Sequence, residues 1–146
     1  MAIFPAKILV ATDDSKQSRL AVELAVELAN KTHSELHIVH VGLLSPWLQP
    51  VRLSSKQIET LQEDAQKTLD QAVEQAQAAG ATVAKAYLRM GRPDGEVITL
   101  GEEIDAAMIV VGCRGRDSIT RIPLGRDSEN IVKHASCPVL VVREQL

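Results

Sequence analysis

Five short apolar runs, separated by segments of helical periodicity, constrain the fold of this chain more than any other feature. Lys7-Ile8-Leu9-Val10-Ala11-Thr12 is apolar on both alternating faces, as a strand buried on both sides must be. Leu36-His37-Ile38-Val39-His40-Val41 reads as a second strand, and 81–89, with Val83, Tyr87 and Leu88, as a weaker third. Ala107-Met108-Ile109-Val110-Val111 and Pro138-Val139-Leu140-Val141-Val142 are the fourth and fifth. Between them the period changes. Leu20, Ala21, Leu24, Ala25 and Leu28 share one face of a helix over 18–30. Ile58, Leu61, Ala65, Leu69, Ala72, Ala76 and Ala79 form one stripe on a long helix that Gly80 stops. After a turn at 91–95, Val97, Ile98, Leu100 and Ile104 mark a shorter helix, and Ile131, Val132 and His134 a last one broken by Cys137-Pro138. Asp13, Asp14 or Ser15, Ser54 or Ser55, and Asp127 or Ser128 are the helix N-cap candidates.

Strands that alternate with helices are joined by crossovers, and crossovers make them parallel. The expected class is α/β: one open, doubly wound, Rossmann-like sheet of five parallel strands with helices on both faces. Pattern alone leaves two strand orders open, 3-2-1-4-5 and 2-1-3-4-5. The 146 residues suit one domain over 1–146 with a proper core. A net charge of −3 argues against nucleic acid or an anionic membrane as partner. Phe4, Trp47 and Tyr87 are too few aromatic residues to build a stacking platform for bases. With no apolar run of membrane-spanning length and no leader-like start, the expectation is a cytoplasmic protein. Cys113 and Cys137 then read as free thiols, without metal-ligand spacing.

Open parallel sheets bind ligands beyond the carboxyl ends of their strands, where the strand order reverses. In the order 3-2-1-4-5 that point lies between the first strand, which ends at Asp13, and the fourth, which ends at Gly112. The segment from Gly112 to Arg126 is the most glycine- and arginine-rich of the chain. Gly112, Gly115 and Gly125 permit close backbone approach, the last just before a helix start whose free N–H groups attract anions. Arg114, Arg116, Arg121 and Arg126 concentrate positive charge there. The combination suits a phosphate-bearing ligand. Against it stands a plainer reading, in which the glycines serve turns and the arginines coat a solvated loop.

Three motifs carry a resemblance that spans Lys7 to Arg143. They are Ile8-Leu9-Val10-Ala11-Thr12-Asp13, then Val110-Val111-Gly112-Cys113-Arg114-Gly115-Arg116 with Gly125 ten residues beyond Gly115, and His134-Ala135-Ser136-Cys137-Pro138-Val139-Leu140-Val141-Val142. In order and spacing they resemble the universal stress protein family. The resemblance implies the 3-2-1-4-5 sheet and a homodimer paired through the last strand, Val139, Leu140, Val141 and Val142. It also implies ATP or another adenine nucleotide as ligand, with or without Mg²⁺. Asp13 matches the acid that contacts the nucleoside, with Ala11 and Thr12 before it. Val41 matches the strand end whose backbone faces adenine. Gly112, Gly115 and Gly125 match the family's glycine spacing for ATP, and Val111 and Arg114 in the same segment are further candidate contacts. Three departures follow: Asp14 stands where a glycine often follows the first acid, Arg126 where the pattern has serine or threonine, and Asp127 where it has a small apolar or hydroxyl residue. Arginine brings bidentate donors but needs room, and Asp127 suits a helix N-terminus while repelling a phosphate placed there.

The remaining polar residues add no catalytic constellation. His37 and His40, three apart in a strand, point to opposite faces and make no paired metal site. No nucleophile elbow, P-loop or dinucleotide fingerprint is present. Trp47 lies in a loop over 43–53 and reads as packing on the long helix or at a dimer contact, with leaning over a bound base as the alternative. The leading expectation is a stress-response sensor or regulatory module that binds an adenine nucleotide. The alternative is a nucleotide-free dimeric interaction protein of the same family, with Arg126 and Asp127 paired across an empty phosphate site. A slow ATPase is third, with Asp13 and Asp127 as its available carboxylates and no catalytic residue assigned.

Overall fold

A computed structural model describes residues 2–43, 53–113 and 126–143. Five strands and four helices alternate: β1 (Lys7–Thr12), α1 (Lys16–Thr32), β2 (Glu35–Leu43), α2 (Ser55–Ala78), β3 (Val83–Gly91), α3 (Pro93–Glu103), β4 (Met108–Gly112), α4 (Arg126–His134) and β5 (Val139–Val142). The strands form one sheet in the order β3-β2-β1-β4-β5. Every neighbouring pair is parallel, with Val10 opposite both Ile38 and Val110. The sheet is therefore the doubly wound one expected, and its strand order reverses between β1 and β4.

Alternate strand residues feed two cores. Ile8, Val10, Leu36, Ile38, Val110 and Val142 face α1 and α2, and meet the Ala21-Ala25-Ala29 ridge of α1 and Leu69, Ala72 and Ala76 of α2. Leu9, Val39, Val41, Ile109 and Val111 face α3 and α4, and meet Val97, Leu100 and Ile131. Alanine on the α1 ridge lets that helix sit close to the sheet. Each buried Val, Leu or Ile side chain contributes about 1.5–3 kcal/mol.

The helix ends follow local chemistry. Ser15 caps α1, its Oγ accepting from the Ser18 N–H. Ser54 and Gln57 form a reciprocal capping box on α2. Gly80, at φ +93°, ends α2 with the Ala81 N–H on the Ala76 carbonyl and its own N–H on that of Gln77.

Two boundaries and one buried face differ from the sequence expectation. The stretch 91–95 is not all turn, because Pro93 opens α3 at its first position, where a missing N–H costs nothing. Asp127 and Ser128 lie inside the first turn of α4, which begins at Arg126, so neither is its cap. The stripe on α2 is buried only at Ala65, Leu69, Ala72 and Ala76, whereas Leu61 is 37% exposed. At 24 residues, α2 is longer than the strands it covers, so its first turns overhang the sheet. Trp47 and nearly all of the 43–53 loop lie outside the described residues.

Candidate functional site

The carboxyl ends of β1 and β4 open into a cavity of about 710 Å³. Ala11, Thr12, Asp13, Val111 and Gly112 line it from these two strands, and His40 and Val41 from β2. The first turn of α3 supplies Pro93 and Asp94, with Arg92 just before it, and the first turn of α4 supplies Arg126, Asp127 and Ser128. Val41, Val97, Val111 and Ile131 make an apolar wall. A volume in this range accommodates a nucleotide-sized ligand.

The floor at β1 is built by short side chains. Asp13 Oδ1 accepts from the Ser15 N–H at 3.0 Å, an Asx turn that leads the chain into α1, with Asp14 at φ 65° between them. Ser18 Oγ donates to the Ser15 carbonyl at 3.0 Å and accepts from the Asp13 N–H at 3.3 Å. Thr12 Oγ1 joins Ser18 Oγ at 3.3 Å in the buried interior. The Asp14–Arg19 ion pair beside it is half exposed on both sides and adds little.

His40 Nδ1 lies 2.7 Å from the Thr12 carbonyl. A carbonyl only accepts, so Nδ1 carries the proton, and in the neutral ring Nε2 is an acceptor. His37, on the other side of β2, meets Tyr87 Oη at 3.1 Å. Burial lowers the His37 pKa below the ordinary histidine value, against a weaker opposing pull from Glu35. The two histidines thus do separate jobs, as their spacing predicts.

Gly112 has a scaffold role that its motif position did not reveal. A Cβ there would meet the Gln17 carbonyl carbon and oxygen at 2.6 Å and the Ser18 nitrogen at 2.8 Å. The missing side chain therefore makes room for the backbone of α1. The Gly112 carbonyl in turn accepts from Ser128 Oγ at 2.8 Å, which ties α4 to the end of β4. On the far side, Asn130 Nδ2 donates to Asp94 Oδ2 at 2.9 Å, and Arg92 Nη2 does so at 3.3 Å. The N-terminal half of α4 is thus held from two directions.

The family profile of the universal stress proteins matches residues 6–143. The chain belongs to the universal stress protein family. It is 33% identical over 140 residues to a universal stress protein of Methanocaldococcus jannaschii, covering 94% of this chain and 82% of that one. The fold is shared with a universal stress protein of Archaeoglobus fulgidus at 22% identity, with a TM-score of 0.76 over 94% of this chain and 98% of the other. A universal stress protein solved in complex with cAMP is 27% identical, with a TM-score of 0.72 over 94% and 96% of the two chains.

Of the residues singled out from the sequence, Ala11, Thr12, Asp13, Val41, Val111, Gly112, Arg126 and Asp127 come together around this one cavity. Arg114, Gly115 and Gly125 lie outside the described residues. His40, Arg92, Asp94 and Ser128 also line it and were not anticipated. The signal for Asp94 was present: it lies three residues before Val97, hence on the same face of α3, and that face is apolar. Among the described residues, no group of three or more His, Cys, Asp and Glu is placed to hold a metal ion, and no helix is long and apolar enough to cross a membrane.

Proposed function

We infer that this universal stress protein binds an adenine nucleotide in the cavity between β1 and β4 and acts as a stress-response sensor or regulatory module. The observation that carries the reading is the cavity itself. It lies at the reversal of strand order and is lined at once by an apolar wall, an acid and a helix N-terminus. The relative that holds cAMP supports the ligand class. Asp13 and the backbone at Val41 would hold the nucleoside. Gly112, Gly115 and Gly125, with Arg114 and Arg126, would face the phosphates of ATP, ADP or AMP, with Mg²⁺ as counter-charge where the chain of phosphates is long. Ala11, Thr12 and Val111 shape the floor, and Asp127 sets the charge at the phosphate end.

The functional unit would be the whole chain, 1–146, acting as one domain in the cytoplasm and paired as a homodimer along β5. That strand is a sheet edge whose Val139, Leu140 and Val141 are only partly buried in the single chain.

Calorimetric titration of ATP, ADP and AMP, each with and without Mg²⁺, tests the reading. Saturable binding that Asp13→Ala abolishes is the expected result. Failure of every nucleotide to bind folded, ligand-free protein at millimolar concentration would overturn it and favour a nucleotide-free interaction module. Nucleotide turnover dependent on Mg²⁺ would identify a slow ATPase instead.

A further inference from the structure

Asp94 is a carboxylate in a place that packing alone would give to an apolar residue. It occupies the inward face of α3, one turn before Val97, and is 7% exposed. Burying a charged carboxylate costs free energy unless its oxygens are hydrogen-bonded. The two donors that reach it, Asn130 Nδ2 at 2.9 Å and Arg92 Nη2 at 3.3 Å, both go to the same oxygen, Oδ2. Among the described residues no hydrogen bond reaches Oδ1. Asp94 lines the cavity beside its apolar wall of Val41, Val97, Val111 and Ile131.

We propose that Asp94 Oδ1 is the acceptor that reads the exocyclic amine of the base, and so selects 6-aminopurine over 6-oxopurine nucleotides. The proposal rests on the nucleotide reading above and adds to it a residue that sets base specificity. A flat ring against the valine and isoleucine wall buries its faces and presents its polar edge to the rim. With Oδ2 already occupied, Asp94 offers one acceptor and cannot take the paired donors of a guanine edge in bidentate fashion. A single amine N–H fits. A 6-oxo group would place one acceptor against another and forfeit the hydrogen bond that the amine makes, a mismatch that sites built to hydrogen-bond a ligand reject.

The same geometry predicts what Asp94→Asn does. Asn130 and Arg92 are both donors, so they hold the amide oxygen at the Oδ2 position and turn the amide NH₂ to the Oδ1 position. The variant then offers a donor where the wild type offered an acceptor.

The test is titration of AMP and IMP into the full-length wild type, Asp94→Asn and Asn130→Ala. The wild type is expected to prefer AMP by about 10- to 100-fold, the worth of one hydrogen bond to a charged group. Asp94→Asn is expected to erase or invert that preference. Asn130→Ala, which loosens the tie between α3 and α4 but leaves the acceptor, is expected to weaken both ligands by the same factor. Equal affinity of the wild type for AMP and IMP would overturn the role of Asp94 and leave nucleotide binding standing. An unchanged ratio in Asp94→Asn, or the same change of ratio in Asn130→Ala, would make Asp94 a structural tie alone. Binding of neither nucleotide to folded wild type would overturn the nucleotide reading, and this inference with it.

Discussion

Ser128 Oγ donates to the carbonyl of Gly112 across 2.8 Å of buried space, and so joins the first turn of α4 to the last residue of β4. The bond sets where the α4 N-terminus stands over the cavity. Ser128→Ala removes the donor and leaves a buried carbonyl short of a partner. The expected loss is about 1–3 kcal/mol of stability, read as a lower denaturant midpoint at unchanged slope. If the cavity holds a nucleotide as proposed, its affinity should fall as well, because the helix N-terminus that lines the cavity loses its anchor.

Gly112→Ala should cost more than its one methyl group suggests. The new Cβ would lie 2.6 Å from the backbone of Gln17, and backbone cannot rotate out of the way as a long side chain does. A loss of about 1–3 kcal/mol is expected from this overpacking. Thermal unfolding without any nucleotide present is the measurement. An unchanged midpoint would show that α1 shifts freely at this point.

Ser15→Ala removes the side chain that accepts from the Ser18 N–H at 3.1 Å. The expected cost is about 1 kcal/mol, typical of a lost helix N-cap. Ser15→Asp keeps an acceptor and should recover most of it.

The protonation of His37 makes stability depend on pH. Burial holds its folded pKa below the unfolded value, so the unfolded chain binds more protons in the interval between them. That contribution is complete above the ordinary histidine value of about 6.5 and is lost as the pH falls towards the folded pKa. Urea unfolding at pH 7.5 and pH 5.5 should show the wild type weakened at the lower pH. His37→Gln should shrink the difference, and an undiminished difference in that variant would place the titration elsewhere.

Arg126 is exposed in the first turn of α4 and lines the cavity. Arg126→Ala should weaken ATP by up to about fivefold, since the contact is solvent-screened, and leave adenosine unchanged. The effect should grow at low ionic strength. Tighter ATP binding in the variant would mean that the arginine occupies the phosphate position rather than contacting a phosphate.

Much of this molecule was legible beforehand because its signals are local. The run Ile8-Leu9-Val10 is apolar on both faces, and it is buried on both faces. Gly80 stops α2 by the φ that only glycine adopts freely. Strand order was not local information: either of two windings satisfies the same pattern, and the motifs rather than the periodicity pointed to the one found. The start of α3 was missed because Gly91, Pro93 and Gly95 look like a turn, yet proline favours a first helical position. The overhang of α2 was missed because a stripe of apolar residues does not say how long the surface beneath it is. At the site, Asp13 and Gly112 were found by position at strand ends. Asp94 is visible as an acid on the apolar face of α3, but its tie to Asn130 and the Ser128–Gly112 bond span 36 and 16 residues of sequence, a distance at which no spacing rule operates.

The crowding around Gly112 bears on how such sequences are read. A glycine that opens a nucleotide-binding motif is ordinarily counted as a mark of the ligand. Here the residue is required by the neighbouring helix whether or not anything occupies the cavity. A chain of this fold that bound nothing would keep the glycine for as long as it kept the helix. Surveys that infer occupancy from this letter alone would overcount binders, and a position better suited to report on a ligand is an exposed one on the cavity rim, such as 126.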